Sequence, residues 1–310
     1  MLDLKRLRVL REVAERGSFS AAAETLYVSQ SAVSQQVAAL EAEVGVPLLV
    51  RLRGGPSLTE AGELLVSHAD AAICRLEQAE RELAQLAGLE AGEIRVASFP
   101  SASGTIVVAA ASAFRERHPD IRLSMAEGEP EATIPELKRG RHDIAVVYDF
   151  ELTPFEADRD LELAPLLTEQ MHVIVPAEHP LAARASTGMR LEDLEAEPWL
   201  CGASDGSCRQ LTLRSCELAG FEPDVSFESN DYTVLQSLVA AGMGVTLLPD
   251  LALASVNPGV AVVPVLPEAP VRRVWAATLQ AGSRSAATDA MLEALAQAGA
   301  RFAPAAVAAA

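Results

Sequence analysis

"SQSAVSQQVAALE", residues 29–41, has the spacing of a helix whose two faces have different work to do. At about 100° per residue, Val33, Val37, Leu40 and Val44 fall within about 40° of one another and form one apolar stripe. Ser31, Ser34, Gln35, Ala38 and Ala42 lie on the opposite side. A solvated face ordinarily carries Lys and Glu. Small, uncharged residues instead let a backbone approach another surface closely. Gln pairs bidentately with adenine edges, and Ser suits either a base or a phosphate. Ser29 is a good N-cap and Gly45 a good stop, which puts Ser29 and Gln30 at the end that enters the groove in helix-turn-helix proteins. Taken alone, the pattern also fits a three-helix bundle with a polar cap.

The flanking sequence narrows the choice. Leu4, Leu7, Leu10 and Val13 follow helical spacing up to Gly17, and Ser18 or Ser20 caps a short second helix through "AAAETL". "YVSQ" breaks that helix before the third begins. Beyond Gly45, "VPLLVRLRGGPSLT" reads as two short strands around a Gly-Gly-Pro turn, a wing that carries Arg51 and Arg53. Basic wings rest on phosphates. Helix, helix, polar-faced helix and basic wing together describe a winged helix-turn-helix over residues 1–58.

Charge is the apparent obstacle, since the 310-residue chain carries a formal net charge of −18. Residues 1–58 hold seven basic and six acidic groups, so this head stands at +1 and the remaining 252 residues at −19. A near-neutral head docks on DNA if its few cations face phosphate and the acid lies beyond a Debye length, about 8–10 Å.

From Thr59, or from Ser57 with Glu60 as a capping box, one helical pattern runs to Ala87, and Gly88 and Gly92 close it. Leu65, Ala72, Ala79 and Leu86 recur every seven residues, and Ala69, Leu76 and Leu83 recur with an offset of four. This is an a/d seam, and a second copy of the chain is its simplest partner. The linker is therefore read as residues 59–88, a dimerisation helix.

From Glu93 onward strands and helices alternate: "EIRVASF", "TIVVAAASAFRERH", "IRLSMAE", "EATIPELKRG", "DIAVVYD". A second set begins at "MHVIVPAEHPLA" and continues through "PWLCG", "SCRQLTLRSCELAG", "DVSFES", "YTVLQSLVAAG" and "VTLLP". Then come "VRRVWAATLQ" and a last amphipathic helix. This α/β body covers residues 93–302, with one subdomain at about 93–165 and 266–302 and the other at about 166–265, followed by a tail at 303–310. Two Ser-rich loops, "SFPSASGT" at 98–105 and "GASDGS" at 202–207, lie between a strand and a helix and are candidate anion sites in a cleft between the subdomains.

At this point "SFSAAAETLYVSQSAVSQQVAALEAEVGVPLLVR…LTEAG" closely resembles the LysR-type transcriptional regulators, and "EHPLA", "AGFEPDVSFES" and "LVAAGMGVTLLP" sit where that family has similar stretches. The resemblance implies a winged helix-turn-helix, a long dimerising linker and an effector domain of the type II periplasmic-binding-protein kind, in a homodimer or homotetramer. By matching positions, Ser29, Gln30, Ser31, Ser34 and Gln35 face a palindromic double-stranded operator, and Arg51 and Arg53 face flanking phosphates. Effector contacts fall at Ser101, Ser103, Glu129, Gly202, Ser204 and Ser229. Two departures weaken expected backbone affinity: Leu49 stands where a Phe is usual and Ser57 where a basic residue is common. Glu129 opposes a carboxylate effector.

Other functions fare less well. No apolar run reaches 18 residues and the first sixteen are charged throughout, so neither a membrane span nor a secretory signal is read, and a cytoplasmic protein is expected. His68, His118, His142, His172 and His179 are scattered, so no metal, cofactor or catalytic triad is expected. The glycines of "GMGVT" follow a helix and precede a strand, the reverse of a dinucleotide loop. A solute-binding protein would suit the body but not the head. Cys74, Cys201, Cys208 and Cys216 fit no metal spacing. A thiol-responsive regulator remains as an alternative: Cys208, with Cys216 or Cys201, lies where the peroxide-sensing branch of the family keeps its redox pair, and a helix N-terminus would lower the Cys208 pKa.

Overall fold

The computed structural model describes residues 2–52, 55–86, 92–155, 158–203, 206–280 and 284–302. The readings placed on Arg53, Gly88, Ser204 and residues 303–310 concern positions outside them, as do the side chains of Arg51, Cys74 and Leu86. Contacts divide the chain into two compact units, residues 1–90 with 138–141, and residues 91–137 with 142–310.

In the first unit, α1 (Leu4–Arg16), α2 (Phe19–Thr25) and α3 (Gln30–Val44) each begin at a polar cap. Asp3, Ser18 and Ser29 accept backbone N–H groups that the first turn cannot satisfy. The cap of α2 is thus Ser18. Gly45, at φ +78°, closes α3 in the left-handed conformation and its N–H bonds the Glu41 carbonyl at 2.8 Å. Val33, Val37 and Leu40 are buried, as their spacing requires, whereas Val44 is half-buried at the edge. Val33 and Val37 pack with Val9, Val13, Ala22 and Ala23.

β1 (Leu49–Leu52) and β2 (Gly55–Leu58) form the antiparallel wing. Glu41 Oε1 accepts from the Leu48 and Leu49 amides at 2.8 and 3.2 Å, fixing where the wing leaves α3. α4 (Glu60–Leu86) starts at Thr59, whose Oγ1 accepts from Gly62 N at 3.0 Å. Ser57 instead pairs with Val50 inside the wing, so the Ser57–Glu60 capping box does not form. Gly62 is needed for close approach, because a Cβ there would stand 2.1 Å from the Leu48 carbonyl oxygen.

The expected seam on α4 is corrected at its inner flank. Ala69 is buried in the head's own core with Ile73, Leu7, Leu10, Leu40 and Leu48, and Leu65 packs against the same cluster. Ala69 is therefore unavailable to a second helix. Ala72 and Ala79 are exposed, as are Leu76 (46%) and Leu83 (65%).

The second unit opens with β3 (Glu93–Ser98), followed by α5 (Pro100–Ala102), which runs through a π turn at Ser103–Val107 into α6 (Val108–Arg117). β4 (Arg122–Glu127), α7 (Pro130–Lys138) and β5 (Ile144–Phe150) follow, and β3 pairs in parallel with both β4 and β5. The alternating strands and helices predict this arrangement. Next come β6 (Leu161–Pro176), β7 (Met189–Arg190), β8 (Pro198–Cys201), α8 (Ser207–Leu218), β9 (Asp224–Glu228), α9 (Tyr232–Ala240), β10 (Thr246–Pro249), β11 (Val260–Leu266), β12 (Val271–Leu279) and α10 (Ala286–Phe302).

One eight-stranded sheet runs β4-β3-β5-β12-β6-β11-β7, with β10 also on β6. β6 serves both halves: residues 161–170 pair with β12, and residues 171–176 with β10 and β11. The crossing is at Gln170–Met171, a few residues beyond the boundary at 166 that the sequence suggested. Among the described residues no helix is long and apolar enough to cross a membrane.

Candidate functional site

The outer face of α3 is built as the sequence predicts. Ser29, Gln30, Ser31 and Gln35 are exposed and Ser34 is half-exposed, with no charged side chain among them. Ser29 Oγ caps the helix and lies 3.0 Å from Ser31 Oγ. Arg6, Arg8, Arg11 and Arg16 of α1 each pair with a carboxylate of the same unit: Glu43, Glu77, Asp70 and Glu12. Four of the five cations of α1 are thus paired within this unit. Sequence reasoning passed over Tyr27, which stands beside α3 at φ +55° and 95% exposed. A bulky residue held in the left-handed region is a candidate for function. The available signal was an aromatic inside a helix-breaking tetrapeptide.

In the second unit the two halves of the sheet meet at a buried polar chain. Arg272 of β12 is completely buried and stands opposite Glu169 of β6 in the strand register. Its Nε donates to Glu169 Oε1 at 2.7 Å, Nη2 to Ser101 Oγ at 3.0 Å, and Nη1 to the Tyr232 hydroxyl at 3.3 Å. The guanidinium carbon lies 4.9 Å from the centres of both the Phe99 and Tyr148 rings. Glu169 Oε2 accepts from the Leu251 amide at 2.7 Å. Burial opposes the charge of Arg272, but Glu169, the two phenols and the Cys208 thiol outweigh it and hold the guanidinium pKa above its ordinary value. Burial lifts the Glu169 carboxyl against the pull of Arg272 and the Leu251 amide. Arg272 stays charged, because a guanidinium does not give up its proton in a protein.

The chain continues to the rim. Tyr232 OH lies 3.3 Å from Cys208 Sγ, which lies 3.3 Å from Tyr148 OH, and Tyr148 OH donates to Glu129 Oε2 at 2.8 Å. Ser101, Tyr148 and Glu129 belong to the first half, and Cys208 and Tyr232 to the second. Burial pushes both phenols well above their ordinary pKa and raises that of Glu129. A second link crosses between the same halves: Glu131 of α7 accepts from Ser207 N at 3.1 Å and from Ser207 Oγ at the N-terminus of α8.

Of the residues singled out for an effector, Ser101 and Glu129 lie in this chain, and Gly202 lies beside it. A Cβ on Gly202 would stand 3.0 Å from the Cys208 Cβ. Ser103 turns away and bonds Ser98 Oγ at 2.6 Å, while Ser229 Oγ receives the Asp231 amide. In the two Ser-rich loops, Ser101 Oγ accepts from Arg272, and the carboxylate of Glu131 accepts from Ser207 N at the start of α8. Arg272, Glu169, Tyr148 and Tyr232 were not foreseen. Yet strand alternation puts Arg272 in phase with the apolar Val274 and Ala276, a signal for an inward-facing charge.

The thiol expectation is corrected. Cys208 stands at the start of α8, but burial raises its pKa, outweighing the Arg272 charge and the hydrogen bonds to Tyr148 and Tyr232, which lower it. Burial likewise pushes Cys201 up to about 11 and Cys216 to about 12. Thiols held this way have little of the thiolate that peroxide attacks. Among the described residues no three His, Cys, Asp or Glu side chains are grouped to hold a metal.

Comparison with known proteins agrees with this architecture. Residues 4–63 match the model of the bacterial regulatory helix-turn-helix protein, lysR family, and residues 87–300 match that of the LysR substrate binding domain. The chain is 31% identical over 258 residues to the transcriptional dual regulator GltC of Bacillus subtilis, covering 83% of this chain and 84% of that one. It is 31% identical to the probable HTH-type transcriptional regulator LrrA of Synechococcus elongatus, covering 84% and 85%. A full-length OxyR variant from Pseudomonas aeruginosa superposes with a TM-score of 0.69 at 25% identity, covering 95% of each chain. With a polar-faced helix and wing in one unit and a two-halved α/β domain in the other, both within matched segments, the chain belongs to the LysR family of DNA-binding transcriptional regulators with an effector-binding domain.

Proposed function

We propose that this protein is a cytoplasmic, non-catalytic regulator in which residues 1–58 read a palindromic operator, residues 59–88 pair two copies, and residues 93–302 bind a small effector between the halves of the sheet. The observation that carries the reading is the outer face of α3, exposed and uncharged where a solvated helix would be charged. Gln30, Ser31, Ser34 and Gln35 meet base edges or backbone, Ser29 sits at the groove entrance, and Arg51 and Arg53 take flanking phosphates. Tyr27 adds a contact at the entrance. CbnR, a structure with the same fold, has been solved in complex with its target DNA.

The effector site is the chain from Glu129 through Tyr148, Cys208 and Tyr232 to Arg272 and Ser101, because these groups join both halves of the sheet through polar contacts. A ligand that reorders them changes the relation of the halves and, through α4, the spacing of the paired heads. The test is footprinting and titration on DNA upstream of the protein's own gene. Protection of an inverted repeat is expected. Gln30→Ala and Ser34→Ala should each lose about 1–3 kcal/mol of discrimination between that site and random DNA. Equal losses on both DNAs would contradict a base-reading role.

A further inference from the structure

Resting on the assignment of this cleft as the effector site, we infer that its ligand is a small organic cation, an ammonium or amidinium compound, received by Glu129. The hydrogen-bond partners of the groups at this crossing carry the inference. An anionic ligand needs a cation or free N–H donors, and Arg272, the amide that opens α8 and Arg209 are already engaged by the protein's own groups. Arg272 is sealed from solvent and divided among Glu169, Ser101 and Tyr232. The start of α8 is held by Glu131. Arg209, on the same helix, pairs with Glu228 at 3.0 Å. A carboxylate ligand would have to evict a carboxylate of the protein from one of these positions and leave it uncompensated, which is costly in a desolvated site.

Glu129 presents the opposite situation. It is half-buried at the rim and takes one hydrogen bond, from Tyr148. Burial raises its pKa, and the charges of Glu131 and Glu127 add to this against the opposing pull of the Tyr148 hydrogen bond and of Arg272. A desolvated carboxylate with spare acceptor capacity gains most from a charged donor. The Cys208 sulfur and the phenol oxygens of Tyr148 and Tyr232 are uncharged and can accept further bonds, so a ligand ammonium could spread its three N–H groups without displacing an existing ion pair.

The experiment uses the full-length protein at physiological salt, with 1,5-diaminopentane and agmatine as cationic probes and glutarate as a dicarboxylate of matched length. Calorimetry and thermal melting should show binding of at least one cation and none of glutarate. Glu129→Gln should weaken the cation at least about tenfold, the loss of one ion pair in a partly desolvated site. Glu192→Gln, at an exposed carboxylate paired with Arg190, should change nothing. Glutarate binding that Ser101→Ala weakens, with the cations inert, overturns the ligand class and leaves the cleft assignment standing. Cation binding indifferent to both Glu129→Gln and Ser101→Ala overturns the cleft assignment. Failure of both cations to bind overturns the inference.

Discussion

At the scale of single residues, the ion pair at the crossing of the sheet has a testable energy. Arg272 and Glu169 are both buried and directly opposed, so removing one charge strands the other. Arg272→Met should cost about 3–5 kcal/mol in urea denaturation, whereas Arg272→Met combined with Glu169→Gln should recover most of that loss. A single variant as stable as the parent would mean that water reaches the pair. Glu129 makes a prediction about pH. Burial raises its carboxyl above the ordinary value of 4.5, so between 4.5 and the raised value the folded chain binds the proton that the unfolded chain releases. Stability contributed by this group is then present at lower pH and is lost as pH rises through that window. Glu129→Gln should flatten this part of the stability profile relative to the parent. Glu169 and Asp70, also raised, remain in both proteins and cancel in the difference.

At the scale of elements, Glu41 links the helix that reads to the wing that holds. Its single oxygen serves two amides at the start of β1, so Glu41→Ala leaves two donors unmet, at about 1–3 kcal/mol for each that stays buried. Hydrogen exchange at Leu48 and Leu49 should speed up in Glu41→Ala and stay slow in Glu41→Gln, which keeps a carbonyl acceptor. Unchanged protection in both variants would show that the wing holds its place without this contact. α3 was legible because caps, stripe and stop all agree with one helix, and the βαβαβ half because each strand alternates cleanly with a helix. β11 was missed since "VAVVPVL" carries a Pro that argues against an interior strand, and the first ten residues of β6 were missed since Pro165 interrupts them at the bulge beside Trp275. The cleft was half legible. Ser101 and Glu129 follow from the family resemblance, whereas Arg272 and Glu169 meet only when strands more than a hundred residues apart in sequence come into register, and Tyr148 and Tyr232 close on them from β5 and α9.

At the scale of the whole molecule, a head of charge +1 attached to 252 residues of charge −19 is a poor DNA ligand by itself. Two heads joined together are a better one, because once the first has bound, the second searches a small volume rather than the whole solution. This gain ranges over about 100- to 10,000-fold when linker and site spacing agree. Among the apolar residues left exposed on α4, those at 72, 76, 79 and 83 step by four, three and four, the spacing of a helix that meets a second helix along one seam. Charges placed there should part the helices without touching the head's core, which uses Ala69 and Ile73. Leu76→Glu with Leu83→Glu should therefore lower affinity for a two-half-site operator by about 100-fold or more while leaving affinity for a single half-site unchanged. Inserting half a helical turn, about five base pairs, between the half-sites should impose a similar loss on the parent protein. A double variant that still holds the full operator at parental strength would place the pairing of the heads on some surface other than α4.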